Sequence, residues 1–282
     1  MTDTVLVLGA TGKTGRRLVS RLAAQGVAVR AASRKAGEGL TLFDWDRPET
    51  HAPALAGVDA VYLVAPDLVE DPTAMTGPFL AAARLAGVKR VVLLSSMGVT
   101  FPNEGPGSGR DKLERQVMAS RMDWTVLRPG GFSQNFSEGF LLPGILQAGA
   151  FATATGDGAV AFVDADDIAA VAAVALTEDG HAGATYEVTG PQALTFTQAA
   201  EAIGQAAGRA VAHRPISSEA LTDLLAGFGM PRDYAALVVG NQEAIRDGLG
   251  ARVSDVVARL TGRPATPFAD YAARAAPAWA RG

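Results

Sequence analysis

Gly9, Gly12 and Gly15 recur at three-residue spacing in VLVLGATGKTG, residues 5–15, after a short apolar run and before a helix-like stretch. A buried strand that feeds a glycine-rich turn into a helix N-terminus makes a seat for a pyrophosphate. A side chain at the tight turn would hold the phosphates away, while the free N–H groups and positive dipole end of the helix favour the anion. Thr11, Lys13 and Thr14 complete the loop, and Lys13 adds a cation to it. The next strand, VAVRAA, ends in Ser33-Arg34-Lys35. NAD-preferring sites commonly carry Asp or Glu there to accept from the ribose 2′-hydroxyl. A guanidinium in that place suits a 2′-phosphate, which it can hold bidentately, and Ser33 can add a hydroxyl donor. The expected cofactor is therefore NADPH or NADP+, although Arg34 and Lys35 also fit plain solvated loop charges.

Other positions point at the same expected site. Asp44, in LFDWD, follows the third strand, where it would accept from the adenine amino group or else hold a turn. Ala65-Pro66 ends the fourth strand, where the backbone should pass the adenosine ribose and pyrophosphate. Ser95-Ser96 ends the fifth, under the expected nicotinamide ribose, and Met97 follows as a candidate pocket residue. Arg110 fits a phosphate or ribose contact, or a surface helix charge.

Holding these residues together requires alternating strands and helices. The patterning predicts strands over 4–8, 27–32, 40–43, 60–64, 90–94 and 124–127. Helices are expected over 14–25, 73–86 and 111–120, with Gly26 and Gly87 closing the first two. Helices between continuous apolar strands imply a parallel sheet covered on both faces, and right-handed crossovers make it doubly wound, the Rossmann arrangement of the α/β class. Past Pro129 the pattern changes. Gly130-Gly131 opens an irregular stretch through Gly149, followed by strands over 160–163 and 185–188 around a helix over 166–176. Helices are expected over 197–207, 217–227, 232–247, 254–260 and 268–276. The expected division is a dinucleotide-binding domain over 1–190 and a smaller, mainly helical substrate lobe over 191–282.

The segments GATGKTG, SRK, LAGVDAVYLVAP, AAARLAGVKRVVLLSS, DWTVLRPGGFSQNF, FVDADDIA and YEVTGP occur in that order. Together they resemble the NmrA-like atypical short-chain dehydrogenase/reductases, over nearly the whole chain. GKT in the loop and FDW…AVYLVAP look most like the ergot-alkaloid-type and NAD(P)H quinone/azo-type reductases. The resemblance implies NADP(H) at the glycine loop, Arg34, the end of the fourth strand and Ser95-Ser96. It also places Pro129, Gly130 and Phe132, in RPGGF, beside the nicotinamide.

Short-chain dehydrogenases usually carry Tyr-x-x-x-Lys on the helix after the fifth strand, where the lysine lowers the tyrosine pKa and the tyrosine passes a proton to a carbonyl oxygen. Aligned back from DWTVLRP, those positions fall on Pro106 and Arg110, and Lys112 stands near the lysine position but displaced from it. The four tyrosines, Tyr62, Tyr186, Tyr234 and Tyr271, lie elsewhere. Without a proton relay, the expected reaction is hydride transfer to an acceptor that is already electron-poor: an imine or iminium, a quinone or an enone. The alternatives are an NADP(H)-binding redox sensor or regulator with no catalysis, and an isomerase or cyclase that borrows the cofactor fold. An aromatic irregular segment and a separate helical lobe suggest an enclosed pocket, which favours the reductase. Phe132, Phe136 and Phe140 recur at four-residue spacing and could wall it or fill the core. Asn135 could bond a substrate or the nicotinamide amide, or stabilise a turn, and Tyr234 could cap the pocket. Asp164, Asp166 and Asp167 precede an apolar helix; capping and dipole complementarity by Asp166 or Asp167 is the favoured role over acid catalysis.

Bulk properties narrow the rest. The 282 residues are 48% hydrophobic, ample for a large core. A net charge of −4 gives no sign of a nucleic-acid partner. With no cysteine there is neither a disulfide nor a thiolate nucleophile or ligand. His51, His181 and His213 show no ligand spacing, so no metal is expected. The start, MTDTVLVLGATG, runs straight into a strand, with no basic segment and apolar core of a signal peptide. No apolar run approaches the ~18 residues of a membrane span. The expectation is a cytoplasmic protein, monomer or homodimer, acting on a small molecule with neither nucleic acid nor membrane as partner.

Overall fold

Short apolar runs of β-branched and aliphatic residues build the strands, and longer amphipathic stretches build the helices. The protein is described by a computed structural model over residues 3–35 and 37–280. The strands are β1 (Thr4–Val7), β2 (Ala28–Ser33), β3 (Leu40–Leu42), β4 (Ala60–Val64), β5 (Arg90–Leu94), β6 (Asp123–Pro129), β7 (Ala150–Thr153), β8 (Ala159–Val160), β9 (Ala184–Val188), β10 (Leu194–Thr195) and β11 (Ala212–Pro215). The helices are α1 (Gly15–Ala24), α2 (His51–Leu55), α3 (Thr73–Leu85), α4 (Gly109–Met118), α5 (Leu142–Ala148), α6 (Ala165–Thr177), α7 (Phe196–Ala207), α8 (Ser218–Gly227), α9 (Arg232–Arg246), α10 (Val256–Thr261) and α11 (Phe268–Ala275). Among the described residues no helix is long and apolar enough to cross a membrane.

Seven strands form one sheet in the order β3-β2-β1-β4-β5-β6-β9. The pairs β2–β3, β1–β2, β1–β4, β4–β5 and β5–β6 are parallel. This is the doubly wound Rossmann order, whose direction of winding reverses between β1 and β4. Leu6, Leu8, Val61, Leu63, Val91, Leu93 and Val126 point to one face and share a core with Phe79 and Leu80 of α3 and Leu113 and Val117 of α4. Their neighbours Val5, Val7, Tyr62, Val92 and Leu127 point the other way and are buried too. Period-two alternation with both sets buried is the signature of a sheet covered on both faces.

The chain divides into two compact units. The first holds residues 1–99, 106–128 and 168–187, and the second holds 100–105, 129–167 and 188–282. Residues 100–105 and 129–167 thus group with the C-terminal residues. In the second unit Phe136, Phe151, Phe162, Phe196, Phe268 and Trp279 build an aromatic core. The stretch expected to be irregular up to Gly149 holds a helical turn at Ser133–Asn135 and the helix α5. The strands β7, β10 and β11 and the short helix α2 were not expected; each is only two to five residues long. Elements that short carry too little periodicity to read from sequence.

Candidate functional site

β1 delivers the chain into a turn at Gly9, where φ is +62°, a conformation that costs glycine nothing. Gly12 N–H donates to the Gly9 carbonyl at 2.8 Å, and a Cβ on Gly15 would lie 2.1 Å from the same oxygen. Gly15 is thus a packing glycine: only without a side chain can α1 start against the turn. Gly9, Thr11 and Gly12 are exposed and Lys13 half-buried. Ala10 N–H donates to Ala32 of β2 at 3.0 Å and Leu8 N–H to Tyr62 of β4 at 3.1 Å, so the turn is sewn to both neighbouring strands. The arrangement fits a pyrophosphate, since an exposed glycine turn leads into a helix N-terminus at the point where the sheet's winding reverses. Thr14 is buried, and its Oγ1 accepts from the Tyr62 hydroxyl at 3.1 Å, which ties the start of α1 to β4. Burial pushes the Tyr62 phenol well above its ordinary value, which makes this tyrosine a tie between β4 and α1 rather than an acid.

At the end of β2, Arg34 is exposed and lies 3.7 Å from the exposed carboxylate of Asp67, in the segment after Ala65-Pro66. Ser33 Oγ accepts from Lys35 N–H at 3.3 Å. Asp44 holds a turn, its Oδ1 accepting Asp46 N–H at 3.1 Å. Nearby, Phe43, Trp45, His51 and Phe79 form an aromatic cluster, and Trp45 Nε1 donates to the Val64 carbonyl at 3.2 Å, anchoring the end of β4. Leu68 adopts φ +60°, strained for a branched side chain.

At the end of β5, Ser95 Oγ donates to Glu114 Oε1 of α4 at 2.5 Å. Glu114 is buried and is held by Arg128 of β6 through two bonds, Nε to Oε1 at 3.0 Å and Nη2 to Oε2 at 2.5 Å. Ser96 Oγ accepts Gly98 N–H at 3.0 Å and holds the turn that buries Met97. Within α4, Arg110 is half-buried, and Lys112 is bound to Asp71 at 2.8 Å. That bond and two more from Thr73 hold the Asp71 carboxyl down at about 2. The helix carries no tyrosine.

Glu114, Arg128 and Asp67 were not among the expected site residues. Glu114 left one trace in the sequence: with Leu113 and Val117 it falls on the apolar face of its helix, where a carboxylate needs a partner. The structure brings the glycine turn, Ser33-Arg34-Lys35, Ala65-Pro66 and Ser95-Ser96 to the carboxyl ends of the four adjacent strands β2, β1, β4 and β5.

The remaining candidates belong to the second unit. Pro129 is buried, and Gly130 N–H donates to Val188 at 3.0 Å. Phe132 is half-buried and bridges to Val163, while Asn135 is half-buried in its helical turn. Phe136 is a correction: it is 0% exposed among Phe151, Phe162 and Phe268, and is core rather than pocket wall. Phe140, by contrast, is exposed, because the segment is no continuous helix. Tyr234 is half-buried in the first turn of α9. The cap of α6 is also corrected. Asp164, not Asp166 or Asp167, accepts the Asp166 N–H at 2.9 Å, and it also binds Gln134 and Arg274. Asp167 is buried and holds Arg263 at 2.7 Å and Thr266 N–H at 2.7 Å.

Comparison with known proteins accords with this geometry. A family described as NAD(P)H-binding matches residues 9–179. YesF, an oxidoreductase of Bacillus subtilis (strain 168), is 40% identical over 98% of this chain and 96% of its own length. The NAD(P)H azoreductase of Xenophilus azovorans is 37% identical over 95% of this chain and 96% of its own. Among solved structures, the NADPH-dependent quinone oxidoreductase QOR2 of Escherichia coli, complexed with NADPH, superposes with a TM-score of 0.75 at 26% identity, covering 96% of this chain and 99% of that one.

Proposed function

The chain belongs to the NAD(P)H-binding family and is an NAD(P)H-dependent oxidoreductase, and from that premise we propose that it is an NADPH-dependent reductase of small electron-poor acceptors. The observation that carries the cofactor preference is Arg34: an exposed guanidinium ends β2, where an NAD site would hold a carboxylate. Gly9, Thr11, Gly12, Lys13, Thr14 and Gly15 seat the pyrophosphate. Ser33, Arg34 and Lys35 hold the 2′-phosphate. Ala65 and Pro66 pass the adenosine side, and Ser95 and Ser96 the nicotinamide riboside. Arg110 adds a phosphate or ribose contact.

A bound reduced nicotinamide supplies the hydride. An imine or iminium, a quinone or an enone suits the residues present because none of these needs an activated tyrosine: an iminium, or an imine already protonated, becomes a neutral amine on taking the hydride, and a quinone or enone takes its proton from water. Ser95 is a poor proton donor to substrate, since its hydroxyl hydrogen is already given to Glu114 at 2.5 Å. Pro129, Gly130 and Phe132 are proposed as cofactor contacts, and Met97, Asn135 and Tyr234 as acceptor contacts. The names of the azoreductase and the quinone oxidoreductase support this acceptor class.

The test is spectrophotometric oxidation of NADPH against a panel of quinones, cyclic imines and enones. Turnover of at least one, with a lower KM for NADPH than for NADH, is expected. Tight NADPH binding with no turnover of any of them would overturn the reductase reading in favour of an NADP(H)-binding sensor.

A further inference from the structure

Ser95, Glu114 and Arg128 join three elements at the carboxyl edge of the sheet. Glu114 is a buried carboxylate on α4, clamped from β6 by the Arg128 guanidinium with two bonds. A carboxylate in such a pair offers only lone pairs, so the hydrogen shared with Ser95 at 2.5 Å belongs to the serine. Ser95 also gives its N–H to the Leu127 carbonyl at 2.7 Å, which fixes its backbone against β6. Both of its donors are thus committed inward. What Ser95 Oγ has left to offer a ligand is lone pairs.

We infer that Glu114 is a positioning residue: it takes the Ser95 hydroxyl hydrogen and presents Ser95 Oγ as a hydrogen-bond acceptor for a hydroxyl or amide donor on the nicotinamide riboside half of the cofactor. This rests on the proposed placement of that half at the end of β5. It assigns Ser95 to orienting the cofactor and removes it as a proton donor to substrate. Arg128 acts one step further back: its planar fork keeps both Glu114 oxygens in place, a geometry that a lysine would not reproduce. Buried groups coupled in this way are expected to behave non-additively.

The experiment compares two ligands by calorimetry: NADP+, and adenosine 2′,5′-bisphosphate, which lacks the nicotinamide riboside. Glu114→Gln and Ser95→Ala should each weaken NADP+ by about threefold to tenfold and leave the bisphosphate within about twofold, the size of one hydrogen bond. The double variant should bind NADP+ no more weakly than Ser95→Ala alone, and Ser95→Thr should restore binding. Equal weakening of both ligands, effects that multiply in the double variant, or unchanged NADP+ binding would each overturn the inference. If Glu114→Gln does not fold, the Ser95→Ala and Ser95→Thr pair decides it by the same comparison. Arg34→Ala separates this from the cofactor reading, since it should weaken both ligands. If it does so while the Ser95 and Glu114 variants move neither, only the positioning role falls. If it moves neither ligand, the cofactor placement itself falls.

Discussion

Arg34 and Asp67 are the residue pair on which the proposed cofactor preference turns. Their contact at 3.7 Å joins two side chains that are about three-quarters exposed. Such surface pairs are worth ~0–1 kcal/mol, whereas a hydrogen bond to a charged group contributes about 1.5–3 kcal/mol. On the proposed placement, a 2′-phosphate would win Arg34 from Asp67, but with a carboxylate still nearby to repel it. Arg34→Asp should raise the Kd for NADP+ by roughly tenfold to a hundredfold and bring NADH turnover up to or above that with NADPH. An unchanged NADP+ affinity would show that the 2′-phosphate lies elsewhere. Asp67→Asn should act in the opposite direction, tightening NADP+ by roughly twofold to fivefold while NAD+ stays put, as titration of the two nucleotides would show.

Among the elements, the β1–α1 turn has a shape that allows little substitution. A methyl on Gly15 would meet the Gly9 carbonyl at 2.1 Å, and backbone cannot swing aside as a flexible side chain can. Gly15→Ala should destabilise the fold by about 1–3 kcal/mol, the usual range for overpacking, and lower Tm by several degrees. It should also weaken NADP+ more than tenfold, because the helix N-terminus must move off the turn. Retained Tm and retained affinity together would show that the turn is looser than drawn. A similar constraint operates at α4, where Gly109 would meet the Glu70 carbonyl at 2.1 Å. Ser108 caps that helix by accepting Asp111 N–H at 3.2 Å, so its start is fixed by both packing and capping.

Across the molecule, buried and tied carboxylates set the acid response, and they do not all act in the same direction. Asp71, held down to about 2 by Lys112 and Thr73, favours the folded chain above its ordinary value of 3.8. That contribution disappears as pH falls through the folded value. Asp164 is pushed up by burial, so it favours the folded chain at low pH and loses that contribution as pH rises through its folded value. Asp71→Asn should flatten the part of the Tm–pH curve between about 4 and 2 relative to the parent. Parallel curves for the two proteins across that window would contradict the Lys112–Asp71 tie. The FVDADD segment also explains how the C-terminal residues are held in the second unit. Asp164 takes Arg274 of α11, and Asp167 takes Arg263 and Thr266, so two buried acids secure three residues from the end of the chain.

The glycine turn, the cation after β2 and the want of a tyrosine on α4 were legible in the residues alone, because each is a local statement. A strand, a turn and a helix start are contiguous in the chain, and their chemistry is set by near neighbours. The first six strands and the helices α1, α3 and α4 were legible for the same reason, since period and punctuation are short-range properties. Tertiary structure alone decided which side chains meet. Tyr62 reaches Thr14 across 48 positions, and Glu114 reaches Ser95 across 19 and Arg128 across 14. Phe136 followed the same rule: its spacing from Phe132 and Phe140 fitted a pocket wall, but four aromatic rings from distant segments enclose it. Burial is a property of everything that packs around a residue, so no window of sequence around residue 136 could have shown it.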